Sequence, residues 1–314
     1  DPLPSRTLAK PARRMVEGGW RRRTTRLGQG AGVDLLLLTE YGVVAAVAAI
    51  LGSMLGLGGG VFLVPILTLF FGVDPKLAVG ASAVVVATNS VVGSSVHLRN
   101  QFTNLRLATL FLLATAAGAI VGARLGVDAD PRVLLGVFGA VLLYAAVSMI
   151  FKPEARSWEV PPDAPDPYLL GAMYPDPAIG REISYVPERV PAGVGIGAGA
   201  GVISGLLGVG GGVVMVPVMN LLMRVPMKAS VGTSAYMVGM TSVATAFTYY
   251  SRGKIDPTIV VPALIGVFAG GQLGSRLTRR LRAQRLSLFF ALILLYLSLS
   301  LLVQTFGIPM PWQR

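Results

Sequence analysis

The chain has 314 residues, 53% of them hydrophobic and only 13% charged, with a mean hydropathy of +0.67. A soluble domain carries about 25% charge, so composition argues against one and points to lipid as the solvent. Without Cys and with one His, disulfides, Cys-rich metal sites and thiol chemistry are excluded. The net charge of +12 gathers at the ends of apolar stretches and in the first 34 residues, where anionic headgroups rather than nucleic acid would receive it.

Residues 1–34 hold Arg6, Lys10, Arg13, Arg14, Arg21, Arg22, Arg23 and Arg26 against Asp1, Glu17 and Asp34. They read as a basic tail that lies on the membrane surface and favours a cytoplasmic N-terminus. The apolar stretch after it lacks a small-residue cleavage site behind a short core, so a cleaved signal peptide is not expected.

From there the chain alternates between apolar stretches and short polar turns. Eight stretches approach or exceed the roughly 18 nearly uncharged residues of a spanning helix. They are Leu35–Leu57, Ala78–Val96, Leu107–Ala123, Val133–Phe151, Ala192–Val209, Ala229–Tyr250, Thr258–Ser275 and Leu286–Phe306. Val61–Phe71 and Val213–Met223 are too short to span and read as half-helices or re-entrant segments. A multi-pass, all-α protein of the cell membrane is expected.

One Gly-rich phrase occurs twice. Gly56-Leu57-Gly58-Gly59-Gly60-Val61, followed by Pro65, Lys76, Gly80 and Ser82, returns as Gly208-Val209-Gly210-Gly211-Gly212-Val213 with Pro217, Lys228, Gly232 and Ser234. Gly58 and Gly210 are 152 positions apart, and the same offset still relates Arg124 to Arg276. Duplication predicts two repeats of four to five segments, each with a broken helix facing a central site. The expected divisions are a tail over 1–34, repeats over 35–151 and 191–307, a linker over 152–190 and a C-terminal tail over 308–314. The linker holds eight prolines, which cannot continue a helix, and reads as solvent-exposed, with Trp158, Tyr168, Tyr174 and Tyr185 as interfacial anchors or a cover over one mouth. Eight crossings would make the repeats parallel. Five segments per half would make them inverted, and the basic clusters do not choose between the two.

Enzymatic equipment is missing. There is no G-x-x-x-x-G-K-[ST] phosphate loop, H-E-x-x-H, nucleophile elbow or intramembrane carboxylate pair. Gly195–Ala200 matches a dinucleotide fingerprint in form, but it opens an apolar helix without a preceding strand. Its G-x-x-x-G spacing, shared by Gly118/Gly122 and Gly270/Gly274, suits close packing within the chain or in a homodimer. No catalytic residue, cofactor or metal is expected.

The Gly-rich breaks carry the functional expectation. Gly58, Gly59 and Gly60, with Gly210, Gly211 and Gly212, let backbone approach a ligand. The helices restart at Val61 and Val213, whose N–H groups lack intrahelical acceptors and suit an anion. The next spans add Ser82, Thr88, Asn89, Ser90, Ser94 and Ser95 in one copy and Ser234, Thr241, Ser242, Thr245 and Thr248 in the other. Ser82 pairs with Ser234, Asn89 with Thr241 and Ser90 with Ser242 at the common offset. A small anion held by neutral donors is the expected ligand. The charged residues Glu40, His97, Arg124, Arg276, Lys76 and Lys228 sit near span ends and are expected to reach the interface.

These residues resemble the sulfite exporter TauE/SafE family of membrane permeases. The resemblance rests on Gly56–Val61 with Pro65, on Gly208–Val213 with Pro217, and on His97-Leu98-Arg99-Asn100-Gln101-Phe102-Thr103-Asn104 with Tyr249-Tyr250-Ser251-Arg252-Gly253-Lys254-Ile255-Asp256. The first of these two loops has Gln101 where the family signature has Gly, and Thr103 where it has an aliphatic residue. Resemblance over about residues 35–306 implies secondary transport, generally outward, of sulfite or small organosulfonates such as sulfoacetate. An anion channel and a non-transporting scaffold of the same architecture are the competing readings.

Overall fold

The computed structural model describes residues 35–151, 165–176, 180–277 and 283–306. The basic tail, Trp158, the Arg279, Arg280 and Arg282 positions and the C-terminal tail lie outside them. Leu35–Leu38 form the opening turn of the first helix, and from Thr39 onward the chain packs as one unit. The first repeat holds α1 (Leu35–Leu55), α2 (Gly60–Leu69), α3 (Pro75–Arg99), α4 (Leu105–Asp128) and α5 (Pro131–Phe151). A two-stranded antiparallel hairpin follows, β1 (Ala172–Asp176) and β2 (Arg181–Tyr185). The second repeat holds α6 (Val190–Leu207), α7 (Gly212–Pro217, continued by a π-turn over Val218–Leu222), α8 (Met227–Ser251), α9 (Pro257–Leu277) and α10 (Ala283–Thr305). It is an all-α multi-pass membrane protein in which six of the described helices are long and apolar enough to cross a bilayer. Helix starts follow local chemistry. Asp74, Asp130 and Asp256 each precede a proline, and their carboxylates accept from backbone N–H groups two residues on, capping α3, α5 and α9.

The two repeats run in opposite directions. α1 and α2 fold into a hairpin: Phe71, just past α2, returns to Tyr41 near the start of α1, ring centroids 5.2 Å apart. The break between them lies beside Ser82 and Val86, midway along α3. Directions therefore alternate through five elements, with α2 going only half way. Between repeats, Gly118 and Gly122 of α4 abut the Ala198 and Val202 carbonyls of α6, while Gly270 and Gly274 of α9 abut the Ala46 and Ile50 carbonyls of α1. Both pairs rise together in number, so α4 runs parallel to α6 and α9 parallel to α1. Similarly Gly80 meets Lys254 and Gly271 meets Asn89, which sets α9 parallel to α3. Since α4 reverses α3 across a short turn, equivalent helices α4 and α9 are antiparallel. The repeats are inverted. The two G-x-x-x-G faces at 118/122 and 270/274 are both spent inside the chain.

Of the ten residues of α2, all but Ile66 are buried, with Phe62, Leu63 and Leu67 in one core with Leu134, Phe138 and Leu142 of α5 and Leu294, Leu297 and Leu301 of α10. This cover is what a half-helix at membrane depth requires, since its ends leave backbone groups unpaired. Leu113 and Ile265, equivalent positions 79% and 73% exposed, present the lipid face.

The solvent-exposed linker reading is corrected at residues 170–176 and 181–185. Leu170, Tyr174, Ile183 and Tyr185 are buried with Phe102 and Leu107, and Tyr174 meets Phe102 edge-on at 5.5 Å. Burial pushes the Tyr185 phenol up to about 12. Asn104 ties the hairpin down: its Oδ1 accepts from Leu107 N to cap α4, and its Nδ2 donates to Leu170 O at 2.8 Å. Asn104→Ala removes both, and a loss of about 1–3 kcal/mol is expected from the cap and the buried bond. Faster proteolysis within 165–190, with the membrane helices still protected, is the check.

Candidate functional site

Each break is held in a conformation that demands glycine. Gly56, Gly58 and Gly59 have φ of 69°, 75° and 87°; Gly208, Gly210 and Gly211 have 68°, 78° and 75°. Past them the helices restart, with Phe62 and Leu63 N donating to Gly59 O, and Val214 and Met215 N to Gly211 O. Among the described residues, the N–H groups of Gly58–Val61 and Gly210–Val213 have no hydrogen-bond acceptor.

The structure brings the two breaks together. A Cβ on Gly58 would lie 2.6 Å from Val86 Cγ1 and 2.8 Å from Val238 Cγ1, and one on Gly210 would touch the same two valines. Val86 and Val238 are repeat equivalents and are both buried, so the local pseudo-two-fold passes between them. Gly60 sits beside Gly208 O and Gly212 beside Gly56 O. Each break thus leans on the other.

The polar side chains expected at the site divide into four groups. Ser82 Oγ donates to Gly208 O at 2.9 Å and Ser234 Oγ to Gly56 O at 3.4 Å, each crossing to the opposite repeat. Asn89 Nδ2 donates to Gly58 O and Thr241 Oγ1 to Gly210 O, both at 3.1 Å, each holding its own break. Ser90 and Ser242 are buried at 4% and 1% exposure, and neither hydroxyl has a partner among the described residues. Thr88, Ser94, Ser95, Thr245 and Thr248 bond to carbonyls of their own helices and bring nothing to the centre.

Sequence reading did not pick out Ser204, Thr115, Val86 or Val238. Ser204 is fully buried, its hydroxyl without a partner among the described residues, and with Thr115 the residue lines a cavity of about 10 Å³ against Gly210, Gly211, Met237 and Thr241. That is room for one water-sized atom, so the centre is closed in this conformation. Position-by-position comparison of the repeats passes over these two residues, because Ser204 pairs with Gly52 and Thr115 with Val267.

His97 corrects the interfacial expectation. It is 3% exposed, and neither ring nitrogen has a partner among the described residues. Phe102 closes over it at 6.5 Å. Its repeat equivalent Tyr249 is buried too, donating to Leu206 O. Glu40, Arg124 and Arg276 are exposed, and Lys76 and Lys228 are half-buried at the starts of α3 and α8. The loop with Gln101 keeps the geometry of its partner: Gln101 takes φ 59° where Gly253 takes 64°.

Residues 41–301, from within α1 to within α10, match the family model described as sulfite exporter TauE/SafE. The chain belongs to this family. Among its curated TauE/SafE-type relatives, the probable membrane transporter protein YunE of Bacillus subtilis (strain 168) is 24% identical over 83% of this chain and 96% of its own length. A probable membrane transporter protein of Xylella fastidiosa (strain 9a5c) is 29% identical over 77% and 86% respectively. MJ0441 of Methanocaldococcus jannaschii, also described as a probable membrane transporter protein, is 25% identical over 86% and 97%. No solved structure gives a significant match. Membership of TauE/SafE makes the chain a membrane transporter, of a family that transports rather than catalyses.

Proposed function

We propose that this transporter moves small sulfur-containing anions, sulfite or organosulfonates of the sulfoacetate class, outward by alternating access between its two repeats. The carrying observation is the convergence of two inverted glycine breaks on the Val86/Val238 pair, with buried hydroxyls and unpaired backbone N–H groups around it. Inverted repeats around a midplane site can exchange conformations, so that the site opens to one side and then the other. Neutral O–H and N–H donors stabilise an oxyanion without the cost of burying a lysine or arginine in lipid. The sulfur preference rests on the family.

Counterflow of labelled sulfite and sulfoacetate in proteoliposomes tests the proposal. Saturable exchange by the native chain is expected, with at least a tenfold loss in a folded Ser82→Ala/Ser234→Ala variant, which removes both bonds between the repeats at the breaks. Flux that never saturates would make the protein a channel. No flux of any sulfur anion by folded protein would end the proposal.

A further inference from the structure

Inversion puts equivalent turns at opposite ends of the molecule. The α3–α4 turn, residues 100–104, seats on the start of α8, where a Cβ on Gly232 would lie 3.0 Å from the carbonyl of Phe102. The α8–α9 turn, residues 252–256, seats on the start of α3, with Gly80 against the carbonyl of Lys254. Phe102 and Lys254 are repeat equivalents, as are Gly232 and Gly80, so the backbone contacts match. At both ends a turn of one repeat rests on a helix of the other.

The side chains do not match. At the α3–α4 end Thr103 Oγ1 donates to Gly232 O at 3.2 Å, and Asn104 N donates to Thr233 Oγ1 at 3.0 Å. Thr233 is fully buried and Asn104 nearly so, which keeps water from competing for the second bond. At the common offset Thr103 becomes Ile255, Asn104 becomes Asp256 and Thr233 becomes Ala81. The side chain of Ile255 has no donor and that of Ala81 no acceptor. Asp256 turns its carboxylate to Thr258 instead. Among the described residues, the side-chain bond that does join this turn to the first repeat is Arg252–Asp128 at 3.3 Å. Both side chains are more than half exposed, where an ion pair contributes little.

The hairpin sits at the α3–α4 end and strengthens it. Leu170 O accepts from Asn104 Nδ2 and Leu169 O from Arg106 Nη1, while Tyr174 packs edge-on against Phe102. Past β2, Glu188 N donates to Met223 O at 3.0 Å and its carboxylate meets Arg224 at 2.8 Å. The segment between the repeats is thus tied to α4 of the first and to the α7–α8 turn of the second.

We propose that the α3–α4 turn, Thr233 and the hairpin form a latch that keeps the repeats together at this end, so that the opposite end opens more readily. A bond made in one state and broken in the other shifts the balance between them by its own free energy. The latch is one-sided because its donors and acceptors occur in one copy of the repeat and are replaced in the other. This proposal takes the alternating-access reading as its frame and adds a preferred side.

The sequence has no Cys, so one introduced thiol reports alone. Ser90 and Ser242 are buried repeat equivalents. Ser90 lies one helical turn from Val86 toward the α3–α4 end, and Ser242 one turn from Val238 toward the α8–α9 end. The test is the labelling rate of Ser90→Cys and of Ser242→Cys by a water-soluble maleimide in detergent, with and without Thr103→Val and Thr233→Val together. Valine keeps the branched outline of threonine, so folding is expected to survive. Where the pair lowers yield, Thr103→Val alone carries the test.

With the latch intact, Ser242→Cys is expected to label at least threefold faster than Ser90→Cys. Removing both hydroxyls is expected to speed Ser90→Cys at least tenfold and to change Ser242→Cys less than twofold. Unchanged labelling of Ser90→Cys in folded, monodisperse latch variants would overturn the proposal. Equal acceleration at both thiols would mean general loosening and would overturn it too. Sulfite and sulfoacetate counterflow by native protein reads transport separately: its absence beside a one-sided labelling shift would end the transport reading and leave the latch standing.

Discussion

Gly58→Ala and Gly210→Ala are each expected to abolish transport and to lower the stability of the folded protein by about 2–5 kcal/mol. Two costs add. At φ of 75° and 78° a side chain clashes with its own backbone, worth about 1–2 kcal/mol for an L-residue. The new methyl also meets a filled space, 2.6 and 2.8 Å from the Cγ1 atoms of Val86 and Val238 at Gly58, and 2.8 Å from Ser242 Oγ and 3.0 Å from Val86 Cγ1 at Gly210. Overpacking of this kind costs about 1–3 kcal/mol. The two terms can be separated. Val86→Ala in the Gly58→Ala background clears one of the two obstructing methyls but leaves the backbone strain, so partial recovery is expected. Thermal unfolding in detergent and counterflow in liposomes read both terms. Wild-type unfolding by the single variants would mean that the breaks are not held as described.

Gly122→Leu and Gly274→Leu are expected to prevent a stable fold. A Cβ at Gly122 would lie 2.7 and 2.8 Å from the carbonyl carbon and Cα of Val202, and at Gly274 2.8 Å from Ile50 Cα. Backbone cannot swing away as a side chain can, so leucine must drive α4 from α6, or α9 from α1. The cost exceeds the usual 1–3 kcal/mol of an overpacked core, and without a hydrophobic drive between helices in lipid, little offsets it. Gly195→Leu and Gly199→Leu are the matched comparison. They share the same spacing on α6, yet no atom lies within 4 Å of either Cβ position, and changes within about 0.5 kcal/mol are expected. Monodispersity on size exclusion and protease resistance decide the matter. Collapse of all four variants alike would remove the claim that inter-repeat backbone contact is the cause.

The sequence by itself determined the membrane class, the run of apolar segments and the position of both breaks. Hydropathy and glycine act locally: a run of apolar residues must find lipid or protein wherever it folds, and three glycines break a helix in any context. The caps are local too, as Asp74 and Asp256 bond two residues along the chain. Only the tertiary structure decided that the repeats are inverted, since direction follows from Gly118 meeting Ala198 and Gly270 meeting Ala46, contacts between residues far apart in the chain. It also revealed the β-hairpin, whose five-residue strands are too short to show a pattern beside the prolines and are held by Phe102, about 70 positions away. Most of all, it separated serines that composition alone leaves alike. Ser82 and Ser234 form bonds across the repeats, while Ser204 and Ser242 stand unpartnered. A hydroxyl's role depends on the acceptor opposite it, and that acceptor is set by packing between distant helices rather than by its neighbours in the chain.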